Sequence, residues 1–300
     1  MVEPHVATIL DVPTASVSLT EARALCEQMA RTRYENFTVT SWLIPRSMRS
    51  HVAALYAYCR TVDDIGDEAP GDRIELLNQY EAELERAFTG TPGHPVLVAL
   101  QETIRHFDLP REPFARLIEA NRIDQRVCRY ANYEDLLRYC VHSANPVGRL
   151  FLMLFGYRDE ERFALSDATC TALQLTNFWQ DIGRDRNAGR VYLPQDELAA
   201  FGVADEDLDA DRASVELRRL VRFEVDRTRR LFSEGSRLID SVRGRLRVDL
   251  SLFTRGGLAI LDAIERQGYD TLVRRPTLGR SEKVGLIVSC LFSSRWRRKL

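Results

Sequence analysis

No two of the six cysteines in this sequence stand in C-x-x-C spacing; they are scattered at positions 26, 59, 128, 140, 170 and 290. That excludes motifs built on that spacing, and the six read as reduced, mostly buried thiols of a cytosolic protein. Long hydrophobic runs are also missing. The longest, VGLIVSCLF at 284–292, has nine residues, whereas a membrane-spanning helix needs about 20. The first residues lack the basic region and apolar core of a secretory signal. Charge of one sign is not in excess: the formal net charge is −2, so bulk charge points to no nucleic-acid partner. No fixed-period repeat, low-complexity linker or convincing alternating strand pattern is present.

What is present is helical periodicity. Ser18 and Glu21 stand in capping-box spacing before an apolar run. Met48, Val52, Leu55, Cys59 and Val62 recur every three or four positions, as do Ile74, Leu77, Tyr80, Leu84 and Phe88. Phe114, Leu117, Ile118, Ile123 and Val127 make another stripe, and an arginine-rich helix is expected from about Ser214 to Ile239. Breakers separate the segments: APGD at 69–72, TGTPGHP at 89–95, NAGRVYLPQ at 187–195 and RRPTLG at 274–279. The pattern predicts one all-α domain over 1–300, with roughly ten or more helices around a central space. Residues 1–17 are expected to be a flexible start and 281–300 a basic helix or tail.

Two acidic clusters carry the chemistry. In YAYCRTVDDIGDEAP at 56–70, Asp63 and Asp67 lie four apart and share a helix face. In QLTNFWQDIGRDRNAGRVYLPQ at 174–195, Gln174, Asn177, Asp181 and Asp185 are spaced three, four and four apart, one stripe of a helix. Hard oxygen donors in pairs suit Mg²⁺, which takes one or two carboxylates and completes its shell with water and substrate phosphate. Two such faces opposing each other across a cavity would bracket a diphosphate. A single D-x-x-x-D is usually a solvated face; two copies set in apolar sequence are costly unless paired or metal-bound. Arg60, one turn before Asp64, suits either a salt bridge or a diphosphate oxygen. Arg184, Arg186 and Arg190 pose the same choice, and Asp64 and Glu68 are either supporting or solvated.

From 274 to the end, Arg274, Arg275, Arg280, Lys283, Arg295, Arg297, Arg298 and Lys299 face one acid, Glu282. Basic residues beside apolar ones suit an anionic membrane surface; a solvated basic tail is the plain alternative.

YAYCRTVDDIGDE and QLTNFWQDIGRDRNAGRVYLPQDEL resemble the two aspartate motifs of the squalene and phytoene synthases, and the likeness runs from about Tyr34 to Lys283. Within that family, YENFTVTSWLIP (34–45), YCVHSANPVGRL (139–150) and FTRGGLAILDAIERQGYDTLVRRPTL (253–278) are most similar to bacterial hydroxysqualene synthases of hopanoid pathways. The resemblance implies an all-α isoprenoid synthase fold with a central cavity. It implies Mg²⁺ on Asp63 and Asp67 and on Asn177, Asp181 and Asp185, with diphosphate contacts from Arg60, Gln174, and Arg274 or Arg275. Tyr56, Tyr139 and Tyr192 match aromatic positions of the site, Ala144 and Gly148 small positions that leave room for a prenyl chain. Phe37, Tyr56 and Tyr139 are candidates to face a carbocation. The implied substrate is presqualene diphosphate, handed over by the enzyme that makes it, and water captures the rearranged cation. Asn145 and His142 are candidates to place that water.

Two departures from the phytoene-type pattern stand out. ANPVG replaces AGTVG, which puts Asn145 and Pro146 beside the cavity and predicts a bend at Pro146. Gly257 stands near a position where a tyrosine is common. Both changes are expected to reshape the pocket and leave the metal ligands alone. The alternatives are another head-to-head prenyl synthase acting on farnesyl or geranylgeranyl diphosphate, or a non-catalytic relative kept as a binding module.

Overall fold

The computed structural model describes residues 17–32 and 44–296, with side chains to residue 290. Phe37, most of the 34–45 segment and the expected flexible start lie outside them. Every regular element among the described residues is helical, and the one β contact is an isolated bridge between Arg129 and Val191. The chain groups into two compact units, 1–126 with 149–158, and 127–148 with 159–300.

The first unit is built on α2 (Arg49–Asp67), which packs against α1 (Leu19–Thr32), α3 (Arg73–Thr89), α4 (Pro95–Phe107) and α5 (Glu112–Asp124). The Ser18–Glu21 capping box opens α1: Ser18 N–H donates to Glu21 Oε2 at 3.0 Å and Glu21 N–H to Ser18 Oγ at 3.3 Å. Val52, Leu55 and Val62 of α2 are buried, as are Leu77, Tyr80 and Leu84 of α3. Tyr58 is fully buried and its hydroxyl donates to the Phe114 carbonyl at 2.8 Å, which fixes α2 to α5 without orphaning a polar atom. The APGD turn works as read: Gly71 takes φ +87° and Asp72 caps α3 by accepting from Glu75 N–H at 3.1 Å.

In the second unit α8 (Glu160–Gln180) lies against α6 (Tyr133–Ser143), α11 (Val215–Gly235), α12 (Arg237–Ser241) and α13 (Leu246–Arg266). α9 (Ile182–Asn187) and α10 (Gln195–Phe201) follow α8, and α14 (Arg280–Trp296) packs on α13. The arginine-rich helix starts at its Ser214 cap as expected but ends at Gly235, where α12 takes over. At Gly235 a Cβ would stand 2.2 Å from Thr169 Oγ1 and 2.8 Å from its backbone nitrogen, so α11 and α8 touch there backbone to backbone. Trp179 seals the same pair of helices, fully buried, with its indole N–H on Thr228 Oγ1 at 2.9 Å.

α7 (Asn145–Leu154) carries the chain from the second unit into the first. Here the structure corrects one expectation. Pro146 does not bend a continuous helix: α6 stops at Ser143, Ala144 caps it, and Pro146 sits in the first turn of α7, where its missing N–H is no loss.

Candidate active site

In the first unit the acids of α2 divide by helix face. Asp64 is 4% exposed and pairs with Arg60 at 2.6 Å, one turn earlier. Arg60 also reaches Glu68 at 3.2 Å, and its buried Nε has no acceptor among the described residues. The salt-bridge role left open for Arg60 is therefore real, with one donor to spare. Asp63 and Asp67 lie on the neighbouring stripe and are solvent-exposed. Asp63 Oδ1 accepts from Asn121 Nδ2 of α5 at 3.3 Å. Loss of hydration nevertheless pushes the Asp63 carboxyl up to about 7, opposed by the Asn121 hydrogen bond and aided by the charge of Asp67. Asn121 gets there because residue 66 is glycine: a Cβ would fall 2.0 Å from Asn121 Oδ1.

The second motif spans the end of α8. The helix breaks at Asp181, yet the stripe survives: Asp181 N–H donates to the Asn177 carbonyl at 2.9 Å and Asp185 N–H to the Asp181 carbonyl at 2.8 Å. Asn177 is exposed, and Gln174, Asp181 and Asp185 are half-buried. Asp181 is gripped by Arg275, Nε to Oδ1 at 2.6 Å and Nη2 to Oδ2 at 2.9 Å, a bidentate pair of the strong kind. The 271–276 segment is held against the motif at Gly183, where a Cβ would lie 1.7 Å from the Leu272 carbonyl oxygen, and by Gln180 Nε2 donating to the Pro276 carbonyl at 2.5 Å. Sequence left Arg274 and Arg275 equivalent; the structure separates them. Arg275 turns to Asp181, while Arg274 is exposed and its Nε reaches Gln267 Oε1 at 3.3 Å. Both line an open cavity of about 430 Å³ with Arg266, Gln267 and Thr277. Arg186 takes the plain option, bonding Asp209 at 2.7 Å and Asp205 at 3.0 Å.

An aromatic wall stands beside this motif. Tyr192 stacks on Phe178 with ring centres 3.8 Å apart, and Tyr139 lies 6.1 Å from each. Tyr130 completes the group at 5.6 Å from Tyr139 and 5.9 Å from Tyr192. The GRVYLPQ tail builds it. Val191 N–H donates to the Cys128 carbonyl at 2.8 Å and Gln195 N–H to the Tyr130 carbonyl at 3.0 Å, so Tyr130 and Tyr192 come side by side. From α11, Arg227 covers the Tyr133 ring at 3.3 Å and bonds Glu197 at 2.7 Å, fastening the starts of α6 and α10.

The small positions have packing reasons of their own. A Cβ on Gly148 would stand 2.4 Å from both Cys170 Sγ and Ser166 Oγ, and one on Gly257 2.3 Å from Phe232 Cζ. The space that a ring at 257 would need is thus held by Phe232, which is fully buried. Ala144 and Asn145 are buried, and Asn145 Oδ1 accepts from Thr171 Oγ1 at 3.0 Å. His142 keeps a buried Nδ1 with no partner among the described residues. Tyr56 is half-buried on α2. Sequence reasoning missed Asn121, Tyr130 and Phe178. The first two had no local signal; Phe178 adjoins Asn177 in the second motif.

Among the described residues no three His, Cys, Asp or Glu side chains gather closely enough to hold a metal by themselves. No described helix is long and apolar enough to cross a membrane.

Comparison with known proteins agrees with these features. Residues 30–282 match the model of the squalene/phytoene synthase family. The 15-cis-phytoene synthase of Synechococcus elongatus is 32% identical over 279 residues, 87% of this chain and 89% of that protein. Phytoene synthase 2 of Solanum lycopersicum is 31% identical over 278 residues, 89% of this chain and 88% of its own length. Among solved structures, squalene synthase HpnC from Alicyclobacillus acidocaldarius is similar with 52% identity and a TM-score of 0.80, covering 84% of this chain and 95% of that one. A dehydrosqualene synthase, at 24% identity and a TM-score of 0.85 over 92% of this chain and 98% of that one, shares the all-α isoprenoid synthase fold. The two aspartate motifs, the GRVYLPQ tail and the matched span make this chain a member of the squalene/phytoene synthase family.

Proposed function

We propose that this chain converts presqualene diphosphate and water into hydroxysqualene and diphosphate. The observation that sets the reading in the squalene branch is the 52% identity to squalene synthase HpnC over 95% of that chain, well above the 30–33% to the phytoene synthases; capture by water rests on the resemblance of residues 34–45, 139–150 and 253–278 to hydroxysqualene synthases. The stretch HSANP at 142–146 supports it: His142 and Asn145, both with polar atoms in buried surroundings, stand at the α6–α7 junction.

The residues present fit a divalent cation. The donors are carboxylate and amide oxygens, Asp63 and Asp67 stand exposed on one face of α2, and Asn177, Asp181 and Asp185 keep a four-residue step at the end of α8, where Asp181 already holds a cationic group, the Arg275 guanidinium, on both oxygens. Asp63 and Asp67, and Asn177, Asp181 and Asp185, would hold Mg²⁺, which when bound supplies Lewis-acid stabilisation of the leaving diphosphate. By the family resemblance, Arg60 in the first unit and Arg275 in the second are the proposed donors to diphosphate oxygens, opposing the charge that grows as the C–O bond breaks. Gln174 adds a neutral donor on the same stripe as Asn177. The cyclopropylcarbinyl cation rearranges with ring opening against aromatic faces, for which the resemblance offers Tyr56 in the first unit and Tyr139 and Tyr192, beside Phe178, in the second, each worth about 0.5–2 kcal/mol. Water adds to the cation and releases one proton. Atoms balance without a hydride donor, so no reductant is required. The reading includes delivery of the substrate by the enzyme that makes it, and exchange of an apolar substrate and product at a membrane surface.

The test is a product assay with purified chain, Mg²⁺ and presqualene diphosphate, without NADPH. Hydroxysqualene is the expected product. The second reading, a synthase acting on farnesyl or geranylgeranyl diphosphate, is favoured by the phytoene synthase names of the curated relatives. Consumption of either diphosphate, with presqualene diphosphate untouched, would establish it instead.

A further inference from the structure

α14 is apolar on two sides. Against α13 it sets the buried Cys290, and Arg255 of α13 donates to Ser289 Oγ beside it at 3.1 Å. On the outer side Val284, Ile287 and Val288, at i, i+3 and i+4, form a stripe that is 59, 36 and 44% exposed. A surface helix of a globular protein normally turns polar residues outward; one that is apolar on its outer face as well needs a second apolar phase to cover it.

The charge around the stripe has one sign. Glu282, the one acid after position 270, is already committed: one oxygen accepts from Arg266 at 2.8 Å and the other from Gly279 N–H at 2.7 Å. Arg280 is exposed and Lys283 half-buried beside the stripe, and the sequence adds Arg295, Arg297, Arg298 and Lys299 beyond it. Valine and isoleucine flanked by uncompensated bases complement a bilayer interface with anionic headgroups. A second copy of the chain would bring the same positive charge against itself in a twofold pairing, which argues against self-association as the cover.

We propose that the outer face of α14 docks this chain on an anionic lipid surface, with Val284, Ile287 and Val288 as apolar anchors and Arg280 and Lys283 as headgroup contacts. The proposal rests on the preceding functional reading only for its purpose, the exchange of apolar molecules. It is tested without substrate, so that its failure and the failure of that reading are separate results.

The experiment is flotation of the full chain with vesicles of phosphatidylcholine alone or mixed with phosphatidylglycerol. Binding to the mixed vesicles, weakened by salt, is expected. Arg280→Gln with Lys283→Gln should lower the partition coefficient about thirty-fold, from two basic contacts. Ile287→Asp should lower it by at least about tenfold, with the helical circular dichroism unchanged in both variants. Equal binding to neutral vesicles, or no binding to either, overturns the proposal. So does a dimer in sedimentation equilibrium that Ile287→Asp abolishes, since the face would then be an interface between copies.

Discussion

Both acidic motifs contain Asp-Ile-Gly, at 64–66 and at 181–183, and the two copies are supported in different ways. In each the isoleucine is buried, the aspartate is paired with an arginine, and the glycine is the point where a neighbouring segment presses. At the first copy the arginine is Arg60, one helical turn away, so the pair forms whenever α2 forms. At the second it is Arg275, 94 positions away in sequence, so the pair depends on how the 271–276 segment lies. The consequence is a division of labour. Asp64–Arg60 is a fixed brace, and the acids left for chemistry in that motif, Asp63 and Asp67, are one face over. Asp181 is both a candidate ligand and the partner of a long-range arginine. A cation bound there as proposed would compete with Arg275, and a released Arg275 would be a bidentate donor for an oxyanion.

The largest effect expected from breaking this comparison is on turnover. Asp63→Ala and Asp181→Ala should each lower kcat/KM on the order of a thousandfold, by removing transition-state charge stabilisation. Far-ultraviolet circular dichroism should stay helical. Near-normal turnover of either variant at low Mg²⁺ would sink the ligand assignment. Asp64→Asn should behave differently, as loss of a brace: a lowered Tm with turnover per folded molecule largely kept. Arg275→Gln should cost about a hundredfold in kcat/KM while raising the affinity of the chain for Mn²⁺ in a substrate-free titration, because Asp181 loses its competing partner. An Arg275→Gln variant with weaker Mn²⁺ binding would mean that the arginine orients Asp181 instead of competing for it.

How much of this was legible in sequence follows from the same contrast. The helices, the cap at Ser18, the turn at Gly71 and the acid stripes are set by residues within four positions of one another, and periodicity exposes them. The stripe through Asn177, Asp181 and Asp185 was legible even though the helix breaks inside it, because the hydrogen bonds from 177 to 185 keep the four-residue step. The supports were not legible. Asn121 on Asp63 and Arg275 on Asp181 join positions 58 and 94 apart. The glycines that admit them read only as part of a motif until the pressing atoms are known. Gly257 shows the same limit: its departure from the phytoene-type pattern is legible, but the residue that presses on it, Phe232, is 25 positions away.

The glycines sharpen the comparison on stability. Gly183→Ala sets a methyl 1.7 Å from a backbone carbonyl, which yields only if the 271–276 segment moves. A loss of about 2–3 kcal/mol is expected, with a lowered Tm and a weakened Arg275–Asp181 pair. Gly66→Ala meets the Asn121 side chain, which can rotate away. The helix gains up to about 1 kcal/mol from alanine, so the net stability change should be small while the Asn121–Asp63 bond is lost. Equal Tm losses in the two variants would show that the two supports are alike after all.

The smallest test asks whether burial alone explains the high carboxyl at Asp63. Asp249, near the start of α13, is a control: it is 5% exposed, its Oδ2 has no partner among the described residues, and burial pushes it up to about 7 against the pull of Arg245. It lies outside both motifs. An unfolded aspartate ionises near 3.9, so between about pH 4 and 7 the folded chain holds a proton at Asp249 that the unfolded chain releases. The stability that this proton brings is complete below about pH 4, declines as pH rises and is gone above about 7. The slope is at most about 1.4 kcal/mol per pH unit for one group. Asp249→Asn should remove that part of the slope, raise the Tm above pH 7 and leave turnover unchanged. Asp63→Asn should remove a similar slope from the cation-free protein and abolish turnover as well. If Asp249→Asn instead lowers stability at neutral pH, the carboxylate has a partner in solution, and burial is not a sufficient account of either group.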